Sequence, residues 1–173
     1  MCPYSKILTL IIIADSGGDI MQTDLNLDID CLKTARKVTE FLEKKLDRYL
    51  ALSGKQRFDL KSPGMDGMPK APSHGNGSES RMLNIWLAEE VVDCVGCAMR
   101  NMTKESQRIL LSRYSDQMLT YNIARELNIS SATYSRKQEK ALCEFADRFE
   151  FQLVKHGIHT EIDDLHVYPD EED

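Results

Sequence analysis

Apolar residues recur at steps of three and four along most of the chain, and few segments alternate with a period of two, so the pattern predicts an all-α protein. A first stripe runs through Ile29, Leu32, Ala35, Val38, Leu42, Leu46 and Tyr49 or Leu50, with Lys33, Lys37, Glu40, Lys44 and Lys45 largely off it. Asp28 or Asp30 is placed to cap this amphipathic helix, and Gly54 after Ser53 suits its C-terminal end. One stripe alone needs cover, from the rest of the chain or from a second copy. Residues 56–80 then change character: Gly64, Gly67, Gly75 and Gly77 mix with Pro63, Pro69 and Pro72 and several serines, a density of breakers that reads as a linker. Met65 and Met68 within it leave room for partial docking.

Helical periodicity resumes from Glu79 to about Asn101, through Met82, Leu83, Ile85, Trp86, Ala88, Val91, Val92, Val95, Ala98 and Met99. Thr103 caps a short helix carrying Ile109, Leu110, Leu111 and Tyr114. Two further helices follow. The first, Leu119 to Leu127, takes Thr120 as its N-cap and buries Ile123, Ala124 and Leu127. Asn128-Ile129 makes the turn, since Asn tolerates the left-handed conformation better than other non-glycine residues. Ser130 caps the second, which runs through Tyr134, Ala141, Leu142, Phe145 and Phe149.

Two helices joined by so tight a turn, with the small Ala124 at their closest approach, match the pattern of a helix-turn-helix, whose second helix (Ser130 to Leu142) is then expected to enter the major groove of DNA, although any helix pair with a tight turn shares this pattern. With Tyr134, Ala141 and Leu142 inward, the outward residues are Ser131, Ala132, Thr133, Ser135, Arg136 and Lys137. Arg136 suits a guanine edge or a phosphate, Thr133 a thymine methyl, and Lys137 and Lys140 phosphates. Thr120 completes the expected DNA-binding set.

Charge tempers this reading. The net charge of −6 argues against a nucleic-acid binder, but seven carboxylates with no Lys or Arg lie between Glu161 and Asp173, and without them the remainder is at about +1. The body is near neutral, so DNA affinity should be modest unless a second copy or RNA polymerase assists. The stretch 154–173 reads as a disordered acidic tail, or as a mimic of nucleic acid that covers the reading helix.

Other chemistry finds little support. Cys94-Val95-Gly96-Cys97 has metal-ligand spacing but no second ligand pair, so core packing is the simpler reading. Its Gly96 should weaken the helix by about 1 kcal/mol relative to Ala. The four histidines sit in the linker and tail without nucleophilic partners, and phosphate-cradling glycine patterns are absent, so neither enzymatic activity nor a cofactor is expected. Five cysteines, an odd number, fit a reducing bacterial cytoplasm. The apolar run Ile7 to Ala14 is too short to cross a bilayer, for which about twenty residues are needed, so no membrane partner is expected. Gly17-Gly18-Asp19, encodable as a ribosome-binding site, stands just before Met21, so translation is expected to start at Met21 and residues 1–20 to be a mis-annotated extension; an apolar arm or a strand is the alternative.

The stretch Leu119 to Leu142, with Ile123-Ala124, Ile129-Ser130, Tyr134 and Lys140-Ala141-Leu142, resembles the fourth region of bacterial sigma factors, and Lys104 to Leu110 with Arg113-Tyr114 resembles that domain's opening helix. Over more of the chain, Asp59-Leu60-Lys61-Ser62-Pro63 and Asp66 to Asn76 resemble the linker of the ArpU family of phage transcription regulators. That resemblance implies an N-terminal helix (21–55), a linker (56–80) and a four-helix, sigma-like DNA-binding domain (81–153). It further implies control of late genes in phages or prophages. Asn128 departs from the glycine common in the sigma turn. The competing reading is a helical adaptor that never touches DNA.

Overall fold

The computed structural model describes residues 28–61 and 79–169, and all regular structure among them is helical. The extension 1–20, Met21 and the linker residues Met65 and Met68 lie outside the described residues.

The first rod is α1 (Cys31–Glu40), a π-helical turn (Phe41–Lys45) and α2 (Leu46–Ser53). Asp30 caps it by accepting a 2.9 Å hydrogen bond from Lys33 N, and Gly54 closes it in the left-handed region at φ 69°. Ala35, Val38, Leu42, Leu46 and Leu50 are buried as the stripe requires, whereas Leu32 is 48% exposed. The wider π turn lets the adjacent Phe41 and Leu42 both point inward.

That rod is no separate module. Phe41 meets Phe149 of α6 (Ser131–His156) at a ring separation of 5.2 Å, and Cys31 is disulfide-bonded to Cys143 of the same helix. The two pairings, 31 with 143 and 41 with 149, make α1 and α6 run in the same direction. A third helix, α3 (Glu79–Arg100), runs against α6: Glu90 pairs with His156 at 2.6 Å, while Thr103, just past its end, bonds Glu144. One continuous apolar core spans all of these, from Val38 through Val95 and Met99 to Phe145 and Phe149.

Part of the expected linker belongs to this body. Arg57 to Lys61 form a 3-10 turn with Leu60 buried. Arg57 donates to the carbonyls of Tyr114 at 2.9 Å and Leu42 at 3.2 Å, and Ser115 Oγ donates back to the Arg57 carbonyl at 3.0 Å. Gly96 explains how the turn comes so close to α3, since a Cβ there would meet Arg100 Nη1 at 3.0 Å and the Leu60 carbonyl at 3.5 Å. The glycine that weakens α3 locally is thus the site of a tertiary contact.

The disordered tail expected from residue 154 is corrected for residues 154–169. The long helix continues to His156, closes at Gly157 with φ 71°, and is followed by a packed strap in which Ile158, Ile162, Leu165 and His166 are buried. The strap reaches back to the start of α1: Asp30 N donates to the Val167 carbonyl at 2.8 Å, and Val167 N donates to the buried Thr34 Oγ1 at 3.0 Å. The physical reason is spacing. The apolar positions 158, 162 and 165 anchor a segment whose average composition is dominated by its carboxylates.

The Cys31–Cys143 disulfide also departs from the expectation of unpaired, reduced cysteines.

Candidate nucleic-acid interface

Two short helices precede α6: α4 (Lys104–Leu110), prolonged by a π turn (Leu111–Ser115), and α5 (Thr120–Glu126). Thr103 occupies the N-cap of α4, but its own side chain does not cap; instead Glu144 of α6 accepts from Thr103 N at 2.6 Å and from Thr103 Oγ1 at 2.9 Å. Burial disfavours the charge on Glu144, yet the bonds from Ser106 and Thr103 outweigh it and hold its carboxyl below the ordinary value. One carboxylate, 41 residues away, therefore docks α4 against α6. Sequence spacing could not reveal that partner.

Thr120 is the first residue of α5 rather than its cap. Leu119 is the N-cap, in extended conformation, and its carbonyl accepts from Asn122 N at 2.9 Å and Ile123 N at 3.2 Å. The helix ends where Asn128 adopts φ 53°, and Ile129 N bonds back to the Ala124 carbonyl at 3.0 Å. Asn128 thus takes the left-handed role expected of it. Ser130 caps α6, its Oγ accepting from Thr133 N at 3.2 Å. Between the helices Ile123, Ala124 and Tyr134 are buried, and Leu127 and Ile129 pack at the core's edge.

This turn fixes which way the following side chains face. With Tyr134, Ala141 and Leu142 buried, Ser131, Ala132, Ser135, Arg136 and Lys140 are exposed together on the outer face of α6, and Thr120 is exposed on α5. Two of the expected residues are less available. Thr133 is half-buried with its Oγ1 2.8 Å from Ser130 Oγ, and Lys137 is drawn into an ion pair with Glu105 of α4. Ser135 Oγ donates to the Ser131 carbonyl at 3.2 Å.

Three basic residues near this face were absent from the sequence-derived set. Lys104 and Arg108 are exposed on α4, the helix bearing Glu105, and Arg125 is exposed on α5. The spacing of four between Lys104 and Arg108 was the available signal. Arg113, by contrast, is committed inward: it pairs with Glu43 at 3.0 Å and donates to the Met118 carbonyl at 3.3 Å.

The cysteine motif behaves as helix core. Cys94 is fully buried, and burial, reinforced by Glu90, pushes its thiol up to about 12, while Cys97 accepts from Arg100 Nη2 at 3.1 Å. Among the described residues no helix is long and apolar enough to cross a membrane.

No protein-family profile and no solved structure matches the chain. A protein of Enterococcus hirae, named as the autolysin regulatory protein ArpU, is 30% identical over 132 residues, which cover 75% of this chain and 92% of that protein.

Proposed function

The chain belongs to the ArpU family of regulatory proteins, and from that premise we propose that it regulates transcription by binding double-stranded, promoter-proximal DNA through α5, α6 and the Asn128 turn between them. The observation that carries this reading is the outer face of α6. A Ser130-capped helix, held from behind by Tyr134, Ala141 and Leu142, offers Ser131, Ala132, Ser135, Arg136 and Lys140 to solvent at its N-terminal end, the end that meets base edges in a helix-turn-helix. In this reading Arg136 pairs with a base edge or phosphate, Lys140 meets phosphate, and Thr120 and Arg125 flank the backbone from α5. Lys104 and Arg108 extend the basic surface onto α4.

The relative's name, which speaks of autolysin regulation, supports a regulatory role. Control of late genes in a phage or prophage, within the cytoplasm of a bacterial host, is the setting we propose. A body without net positive charge, once Glu161, Asp163 and Asp164 of the packed strap are counted in it, makes assistance from a second copy or from RNA polymerase part of the same proposal. We assign the chain no enzymatic activity.

Fluorescence anisotropy on duplexes from upstream of its own operon tests the reading. Arg136→Ala should weaken specific binding by about 1–3 kcal/mol, and Lys140→Ala should lower affinity across sequences and reduce the salt slope by about 1. Binding that is indifferent to both substitutions would move the reading face elsewhere, and no binding to any duplex would favour the second reading, a helical adaptor without DNA contact. That alternative draws on the exposed Leu83, Ile85 and Trp86 near the start of α3, which offer a protein partner an apolar surface.

A further inference from the structure

We propose that Cys31 and Cys143 form a redox-modifiable pair, with a dithiol reductant as co-substrate, whose disulfide latches the N-terminal helix and the C-terminal strap to the helix that carries the reading face. The two residues stand 112 apart in sequence, yet their Cα atoms are 5.7 Å apart and their sulfurs are bonded. Cys31 is the first residue of α1 and is exposed; Cys143 is half-buried on α6. Of the other described cysteines, Cys94 is buried with its thiol raised to about 12, and neither it nor Cys97 is disulfide-bonded.

What the bond joins gives it consequence. Residues 143, 147 and 150 follow one another on one edge of α6. Asp147 holds His166 Nε2 at 3.0 Å, and Glu150 lies 3.5 Å from its Nδ1. The next residue, Val167, bonds Asp30, the N-cap of α1, and Thr34 in its first turn, on either side of Cys31. The start of the N-terminal helix, the middle of α6 and the strap therefore meet at one junction, and the disulfide is its covalent member. Once that bond is open, hydrogen bonds, the His166 ion pairs and packing are left to hold the junction, and the constraint on a loop of more than a hundred residues is gone from the unfolded chain.

The exchange is balanced. A thiolate of the dithiol attacks Cys31 Sγ, the Sγ–Sγ bond breaks, and Cys143 leaves as a thiolate that takes up a proton. The reductant's second thiol then attacks the mixed disulfide and releases Cys31 as a thiol. Two electrons pass to the protein and the dithiol ends as a disulfide. Oxidised glutathione, a disulfide, drives the reverse reaction.

The test uses the full chain, air-oxidised or treated with dithiothreitol. Non-reducing digestion followed by mass spectrometry should recover a cross-linked peptide containing Cys31 and Cys143 in the oxidised sample alone. Dithiothreitol should lower the thermal midpoint by about 10 °C, and oxidised glutathione should restore it. The double variant Cys31→Ser/Cys143→Ser should melt with the reduced protein and ignore dithiothreitol, whereas Cys94→Ser should respond as the parent does. If the serine variant fails to fold, the parent in dithiothreitol still carries the test. Free thiols at both positions that glutathione disulfide cannot join, or a midpoint indifferent to reduction, would overturn the proposal. None of these readouts involves DNA, so they stand apart from the outcome of the binding experiments.

Discussion

Lys137 on α6 is bound by Glu105 on α4, so a residue of the proposed reading helix is already neutralised from within the molecule. Both side chains are partly exposed, at 35% and 59%, which keeps the pair open to competition from a phosphate. Removing the competitor should therefore favour DNA. Glu105→Gln is expected to tighten binding severalfold at low salt and to steepen the dependence of log K on log salt by about 0.9, the increment for one added phosphate contact. Lys137→Ala should cost less affinity than Arg136→Ala, because Arg136 stands exposed and Lys137 must first leave Glu105. Anisotropy titrations at several salt concentrations read both outcomes.

A second expectation concerns pH. Burial disfavours the charged form of His166, but hydrogen bonds to Asp147 and Asp164 and the charges of Asp164 and Glu150 outweigh it, and its pKa is raised. The acidic groups face it from both α6 and the strap, and the Tyr168 ring lies 6.3 Å away. A raised folded value means that the folded state binds the proton more tightly than the unfolded chain does. The stabilisation is thus complete below the ordinary histidine value of about 6.5 and is lost as pH rises through the higher folded value. Urea melts across this range should show that decline, and His166→Gln should flatten it.

Backbone strain gives a third. Gln117 adopts φ 54° in the connection between the α4 π turn and α5, a conformation that costs an ordinary L-residue about 1–2 kcal/mol. Gln117→Gly should raise the thermal midpoint by about 3 °C, with glycine's greater unfolded-state entropy offsetting part of the relief. Asn128→Gly at φ 53° should gain less, since Asn tolerates this region better than Gln. A drop in the midpoint for Gln117→Gly would show that its side chain contributes more than the strain costs.

The strap supplies the fourth. Ending the chain at Gly157 removes the buried Ile158, Ile162, Leu165 and His166 and the bonds from Val167 to Asp30 and Thr34. The truncated chain should melt well below the full one, with faster amide exchange at the start of α1. Ile158→Ala alone should cost about 3 kcal/mol, in the range for a buried branched side chain. An unchanged melt after truncation would mean that the strap adds nothing to the fold. The acidic segment would then return to the role of solvating tail or DNA mimic.

Much of this architecture is local in origin and could be read along the chain. Asp30, Ser130, Gly54 and Asn128 act within three or four residues of themselves, as caps or left-handed turns, and each does what its chemistry predicts. The inward set Tyr134, Ala141 and Leu142 follows from helical periodicity, and so does the outward set around Arg136. Thr120 misses its assigned cap by one residue, a shift that spacing alone does not resolve.

What the chain could not disclose are the pairings between distant residues: Glu144 with Thr103, Lys137 with Glu105, Arg57 with Tyr114, Cys31 with Cys143 and His166 with Asp147. Each depends on how helices of fixed period are set against one another, and periodicity carries no information about that. For the same reason a composition rich in carboxylates concealed a buried strap, and a stretch rich in glycine and proline concealed the docked turn at Leu60. By itself the sequence determined the helices, several of their ends and most of the face that α6 turns to solvent, because these follow from short-range hydrogen bonding and a repeating geometry. Only the tertiary structure decided which residues of that face are free, because the neighbour that engages Lys137 comes from another helix.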